Sequence, residues 1–431
     1  MSEAITVIGA GIVGVSTAMH LQQRGWRVTL VERREPGRET SHGNAGVICP
    51  AAMVPLNSPE LHRELLALLG NRRAELRYDP RHVARTLPRL LDFLRASKTR
   101  AATRTTLALA ELLRPSLEEH RALMRRSGNL HRLSEIGWLK AFRGAGGFRR
   151  GGFGAKLLAE CGVALEHHDA RSLAELEPAL KPVFRSAVLL PGGGRVEDPG
   201  ALVAEHAARF VADGGELRRE DVASVGGEGS HLQYRTAGSS TACERLVIAA
   251  GPWSADLLAT AGFDVPLVIE RGYHAHYALG DGPRPRHSVH DVDAGYVMGA
   301  TARGLRVTTG VELAPRDAPS DLSQLEQVEP RVREAIDIGE RTADPIWRGA
   351  RPTLPDSRPA IGAVPGQPNL WVNFAHQHIG LMTGPVSGKL LAQLVHGETP
   401  DVDMEPFSPG RWVRRQGRRA RARAERVARA S

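Results

Sequence analysis

Val7-Ile8-Gly9-Ala10-Gly11-Ile12-Val13-Gly14, with Glu32 standing 18 residues beyond Gly14, is the stretch on which the fold turns. Ile5–Ile8 is short, apolar and β-branched, suited to a buried parallel strand. Ile12 to about Arg24 reads as a helix closed by Gly25, and Arg27–Glu32 as a second strand carrying Val28, Leu30 and Val31. Gly9 and Gly11 let the backbone turn tightly and approach a pyrophosphate, while Gly14 lets helix and strand pack closely. The helix N-terminus, opened by Ile12 and Val13, favours the anionic phosphates. Glu32 is placed to accept a hydrogen bond from a ribose hydroxyl. A glycine-rich turn alone occurs in any α/β protein, and this one does not separate FAD from NAD. With its strand, helix and acid in place, it predicts a dinucleotide-binding unit.

The chain has 431 residues, more than one core ordinarily supports, so two consecutive or interleaved domains are expected. Cys49, Cys161 and Cys243 form no CxxC pair and leave an odd count, which argues for a reducing compartment. The sequence shows no basic-then-apolar leader, and no apolar run approaches the roughly 18 residues of a membrane helix. A cytoplasmic location is expected. The formal charge of +9 is concentrated: Arg411–Ser431 holds nine arginines against one glutamate, which leaves the rest of the chain nearly neutral. That tail suits a disordered, solvated extension or peripheral contact with the inner face of the cell membrane. Aromatic interleaving is limited to Trp412, so no nucleic-acid partner is expected.

Residues 60–135 are rich in Leu, Arg, Ala and Glu at helical spacing and read as several helices of an insertion or cap. Pro199–Asp213 reads as another helix, and Arg245–Gly251 as an apolar strand. From Val268 to Val311 the pattern is β-rich, as expected of an antiparallel sheet in a second domain.

The second informative block lies near the other end. Trp347-Arg348-Gly349-Ala350-Arg351-Pro352 is followed by His376-Gln377-His378-Ile379-Gly380-Leu381. Together with Ser41-His42-Gly43-Asn44-Ala45-Gly46, Ala249-Ala250-Gly251-Pro252-Trp253 and Glu270-Arg271-Gly272-Tyr273-His274, these blocks resemble the D-amino-acid oxidase superfamily of FAD-dependent oxidoreductases. Within it they are most similar to the bacterial D-amino-acid dehydrogenases of small-subunit type. The resemblance spans about residues 1–410 and is vague over 60–150 and 275–345.

The resemblance implies a Rossmann-like α/β FAD-binding domain (1–55, 150–265 and 345–410) interleaved with an α+β substrate domain containing an antiparallel sheet (56–149 and 266–344), the tail from 411 standing apart. It implies non-covalently bound FAD. Glu32, Arg33, Val222, Gly251 and Trp253 would serve the nucleotide, and Ser41–Gly46 would run along the pyrophosphate and flavin. His42 would lie near the flavin ring. Some relatives that react well with oxygen carry an arginine where this chain has Gly46, which speaks against an oxidase. Arg351 would grip the substrate carboxylate with its planar fork. Tyr273, His274 and His378 would line the same cavity. His376–Leu381 would lead into a helix whose N-terminus points at the redox end of the flavin. Two histidines at i, i+2 without further ligands do not make a metal site.

The implied reaction moves a hydride from the α-carbon of a D-amino acid to the flavin. The resulting imino acid hydrolyses to a 2-oxo acid and ammonia, and electrons pass to a quinone or other carrier. Two alternatives stay open on the sequence: an oxygen-using oxidase of glycine, sarcosine or another secondary amine, and a non-catalytic flavin-binding protein targeted by its basic tail.

Overall fold

The computed structural model describes residues 3–62, 68–144, 147–148, 151–227 and 231–415. Two sheets organise it. The first has six strands among the described residues, in the order Glu216–Arg219, Arg27–Glu32, Ala4–Ile8, Leu246–Ile248, Gln367–Phe374, Ala360–Val364. All its neighbours run parallel except the last pair. Its central strands are buried on both faces, as parallel sheets require. Val7, Leu30 and Val247 belong to one core, Ile8, Val31 and Ile248 to the other.

The Ile12–Gln23 helix packs along this sheet against the Gly380–His396 helix. Gly384 and Gly388, one turn apart, permit the approach: a Cβ on Gly388 would lie 2.7 Å from the Thr17 nitrogen. Pro385 lacks the N–H that would bond the Leu381 carbonyl, and the buried His120 ring takes that carbonyl instead through Nε2 at 2.7 Å. The two helix N-termini therefore reach the same side of the sheet.

The second, larger sheet is mostly antiparallel and centres on Val268–Leu279. Gly304–Thr308, Tyr296–Thr301, Ser288–Asp291, Trp138–Phe142, Ser186–Leu190 and Glu166–Asp169 follow it on one side, and Trp347–Thr353 pairs with it directly. Alternation sorts its side chains cleanly. Tyr273, Ala275, Tyr277, Val289, Met298, Val307 and Leu139 face the Ser323–Ala335 helix and form an apolar core with its Leu325, Val328 and Val332. The cross-strand register places Glu270, Gly272 and His274 on the opposite face, beside Arg351, Gly349 and Trp347. His276 joins Arg306 on that face, and Thr308 leads on to Val297, His290 and Lys140.

Three expected boundaries shift. Glu166–Asp169 and Ser186–Leu190, assigned above to the FAD-binding domain, belong to the larger sheet, as does Trp347–Thr353. The Thr99–Leu113 and Ser116–Ser127 helices, assigned to the cap, bury Leu109, Leu112, Leu113, Leu123 and Met124 in the core of the nucleotide sheet. Helical periodicity shows that a face is apolar but not which surface covers it. The first residues of the expected tail also belong to the body. Arg411 bonds Asp356 at 2.8 Å, Val413 is buried, and Arg414–Arg415 pairs with Phe263–Asp264. Residues 416–431, the rest of the tail reading, lie outside the described residues.

Candidate active site

At the carboxyl ends of the parallel strands lies a cleft of about 1290 Å³, counting its open mouth. Gly9, Gly11, Ile12 and Val13 line it with Glu32 and Arg33, and Gly380 and Leu381 bring the second helix N-terminus to it. The turn is built as its sequence requires. Gly9 has φ +104°, and a Cβ on it would lie 2.6 Å from the Ala249 carbonyl. A Cβ on Gly14 would collide with the Gly9 carbonyl. Glu32 accepts the Ala10 N–H at 2.7 Å and the Arg34 N–H at 3.2 Å, which fixes its carboxylate beside the turn. Burial raises its pKa, and those two hydrogen bonds oppose the shift. Arg33 lies 3.8 Å over the Trp253 ring and bonds Glu39 at 2.6 Å; with Val222, Gly251 and Pro252 it forms the far wall.

Ser41–Gly46 is pinned from both sides. Ser41 Oγ accepts the Ile12 N–H at 3.0 Å, at the mouth of the first helix. Across from it, Arg306 donates to the Asn44 carbonyl at 2.8 Å and the His42 carbonyl at 3.4 Å, with its Nε 3.2 Å from His276. Burial holds the Arg306 pKa down to about 10, so it remains a cation at neutral pH. Gly46 has φ +78°, and any Cβ there would strike the Val196 carbonyl, so this position admits no side chain. Ser41 and Asn44 face the cleft. His42 instead packs its Nδ1 against Gly200, and its pKa is lowered by burial and then by Arg306.

The polar face of the larger sheet roofs the site. Trp347 stacks on His274 at 5.1 Å between ring centroids, and His274 Nδ1 lies 3.4 Å from the Gly43 carbonyl. Burial and then Arg306 push the His274 pKa down to about 2, which keeps the ring neutral. Arg351 lies deep in the fold yet retains some accessible surface. Its guanidinium bonds the Gly310 carbonyl at 3.1 Å and the Thr309 carbonyl at 3.5 Å. Among the described residues no carboxylate lies within ion-pair distance of it; the buried Glu270 beside it on the next strand acts only from farther away. A Cβ on Gly272 would lie 2.6 Å from that guanidinium, so the absence of a side chain there makes its room.

His376–Gly380 enters the site with backbone strain. Ala375 (φ +67°) and Gln377 (φ +51°) are left-handed without being glycine. His376 bonds Ser387 at 3.1 Å and is held neutral, its pKa pushed down to about 3 by burial. His378 shares Arg351's combination of depth and partial accessibility, and burial followed by Arg351 and Lys140 pushes its pKa to about 4.

The structure thus gathers Gly9, Gly11, Ile12, Val13, Glu32, Arg33, Ser41, Asn44, Val222, Gly251, Trp253, His376, Gln377, Gly380 and Leu381 on one cleft. Ala10 and Gly14 act through the backbone, Ile379 is packed into the core, and Ala45 turns toward a small pocket beside Arg195. Tyr273 does not line the cavity. It occupies the opposite face of its strand, donating to Glu312 at 2.6 Å and accepting from Arg271 at 2.6 Å. Strict alternation separates it from His274, which the sequence reading had grouped with it. Arg306, Glu270 and Trp347 escaped that reading as site residues; their relation to the cleft is set by cross-strand register, which leaves no local signal.

A cleft at the carboxyl ends of a parallel sheet, under a second, mostly antiparallel sheet, is the architecture of a dinucleotide-binding enzyme. Residues 4–394 match the family of FAD dependent oxidoreductases denoted DAO, and the chain belongs to that family. It is 32% identical over 422 residues to a D-amino-acid oxidase of Bradyrhizobium diazoefficiens, covering 95% of this chain and 99% of that one. It is 30% identical over 420 residues to D-amino acid dehydrogenase 2 of Pseudomonas aeruginosa, at 95% and 99% coverage. Among solved structures it resembles glycine oxidase from Geobacillus kaustophilus (TM-score 0.69, 21% identity, covering 94% of this chain and 98% of that one). L-proline dehydrogenase from P. horikoshii gives a TM-score of 0.71 at 18% identity, with 95% and 97% covered.

The protein is an FAD-dependent oxidoreductase acting on amino-acid donors. The cleft fits that cofactor by its own features: a turn in which Gly9 and Gly14 leave no room for a Cβ, so that bare backbone runs along the cleft, and a buried Gln377 Nε2 left without a protein partner. Among the described residues no helix is long and apolar enough to cross a membrane.

Proposed function

We propose that the enzyme oxidatively deaminates a D-amino acid and passes the electrons to a carrier other than oxygen. The observation that carries the reading is Arg351, a deep guanidinium facing the site with carbonyl partners but no carboxylate of its own. An unpaired buried cation is costly, and a substrate carboxylate supplies the missing partner. Arg351 acts on His378, which follows the cleft-lining His376 and Gln377, and this supports a carboxylate site close to the cofactor. The D configuration and the dehydrogenase assignment draw support from the named relatives. Gly46, which admits no side chain, agrees with the latter.

When bound, FAD supplies the hydride acceptor. This chain's own residues bind, orient and exclude water. Arg351 fixes the carboxylate and thereby the direction of the α-hydrogen. The N-terminus of the Gly380–His396 helix places positive potential where negative charge develops on reduction. His274, His376 and His378 stay neutral near pH 7 and add no charge that would repel a cationic amine. Glu32 would hold the adenosine ribose, and the Ser41–Asn44 segment, its His42 and Asn44 carbonyls fixed by Arg306, would run along the cofactor. Non-covalent binding draws support from His42, whose ring packs toward Gly200.

Purified protein should be yellow and bleach anaerobically with a D-amino acid. Protein that is colourless and fails to take up FAD, or that bleaches only with L-amino acids, would sink the reading. An oxidase using oxygen is a second reading, supported by the name of the Bradyrhizobium relative. Hydrogen peroxide released at a rate matching turnover would select it.

A further inference from the structure

A second buried cation faces the same space. Lys140 lies on Trp138–Phe142, in register with His290 of the neighbouring strand, on the face that carries Arg351. Like Arg351, His378 and His290, it sits deep in the fold while keeping accessible surface. Arg351, His290 and Lys140 therefore share one face of the roof, and both cations act on His378, which faces it.

Among the described residues no carboxylate lies within ion-pair distance of Lys140. Its recorded neighbours are the Trp138 ring, 4.8 Å below the ammonium, and Cys49, whose buried thiol has its pKa raised to about 11 and stays neutral. Burial without an anion lowers the Lys140 pKa, a cost that an incoming anion would remove. Around it stand buried donors with no protein partner: His290 Nδ1, His378 Nδ1, Trp138 Nε1 and Ser288 Oγ. Trp138 stacks on His290 at 5.9 Å and 8°, holding two of these donors in place. Buried polar atoms are ordinarily paired, so this many in one chamber marks a polar ligand rather than an apolar side chain.

Resting on the deamination reading, we infer that Lys140 selects a substrate with a second anionic group: an acidic amino acid whose α-carboxylate goes to Arg351 and whose side-chain carboxylate goes to Lys140. His290 and Trp138 donate to the second carboxylate. Apolar amino acids leave these groups unpaired, and selection against them follows from that penalty.

The test uses the FAD-loaded enzyme. Anaerobic flavin bleaching is measured with D-glutamate, D-aspartate, D-glutamine and D-methionine for the wild type, Lys140→Gln and Lys140→Glu. Glutarate and butyrate, which cannot be oxidised, are titrated in parallel against the flavin spectrum. The wild type should favour an acidic substrate at least ten-fold over D-glutamine. Lys140→Gln should cut that preference about ten-fold or more, to near parity, and Lys140→Glu should reverse it. Glutarate should bind the wild type more tightly than butyrate, and lose that advantage in Lys140→Gln.

Equal use of D-glutamine and D-glutamate by the wild type would overturn the proposal. So would an equal loss on every substrate in Lys140→Gln with a displaced pH profile, which would make Lys140 a proton acceptor. Lysine-dependent glutarate binding without bleaching by any amino acid would defeat the deamination reading and leave the two-cation chamber standing.

Discussion

The nucleotide cradle and the polar face of the larger sheet, where the substrate chamber is proposed, are built by opposite means. In the cradle the backbone does the binding: turns, helix N-termini and carbonyls, each shaped by its own short stretch of sequence. In the chamber the polar side chains come from strands far apart in the chain, met only through sheet register. A cradle of this kind tolerates no added atoms, whereas a chamber of this kind tolerates changed atoms at the cost of changed chemistry. Substitutions should therefore fail in different ways on the two sides.

The sharpest way to break the comparison is Gly14→Val. Its side chain has nowhere to go except into the Gly9 carbonyl, and the expected result is loss of FAD and of the folded protein, at about 4 kcal/mol or more. Flavin content and thermal unfolding read it out; a yellow, stable variant would refute the backbone account. Arg351→Met should fold and stay yellow while kcat/KM falls by roughly a hundred- to a thousand-fold, within the ~2–5 kcal/mol of a truncated buried charge pair. Unchanged substrate affinity would move the carboxylate anchor elsewhere.

Arg306 stands between the two regions, a roof side chain holding cradle carbonyls. Arg306→Met removes charged hydrogen bonds worth about 1.5–3 kcal/mol and should weaken FAD affinity roughly ten-fold or more, read by ultrafiltration.

The buried histidines give a graded effect, small for each ring. His120, His206, His376 and His378 are held neutral at pKa values of about 3 to 4, below the ordinary 6.5. The unfolded chain therefore takes up protons that the folded one refuses. Stability is complete above pH 6.5 and falls below it, by about 1.4 kcal/mol per histidine for each pH unit. Denaturant midpoints at pH 7.5 and 5.5 check the sign; equal midpoints would mean the rings are protonated in the fold. The smallest effect is expected for Arg171→Ala, whose exposed pair with Glu175 at 3.4 Å should leave the melting temperature unmoved.

How far the sequence could be read follows the same division. Gly9–Gly14 with Glu32 is legible because each residue answers a local demand: a positive φ, a close approach, an acid at a strand end. Arg351 is legible only through resemblance, since nothing in its neighbours distinguishes it from a structural arginine. Tyr273 misleads because adjacent residues on a strand face opposite ways, and which way is decided by the sheet. Lys140 and His290 leave no mark at all, being 150 residues apart and joined by one register.

By itself, the sequence determined the dinucleotide-binding unit, the presence of a second β-rich region and the family chemistry, because these rest on short-range geometry and composition. Only the tertiary structure decided which face of the roof is polar and that the Thr99–Leu113 and Ser116–Ser127 helices belong to the nucleotide core. It also decided that Arg351 and Lys140 lie on one face of the roof. The physical reason is that burial and pairing are properties of surfaces in contact, and contact between distant segments is written in no single segment.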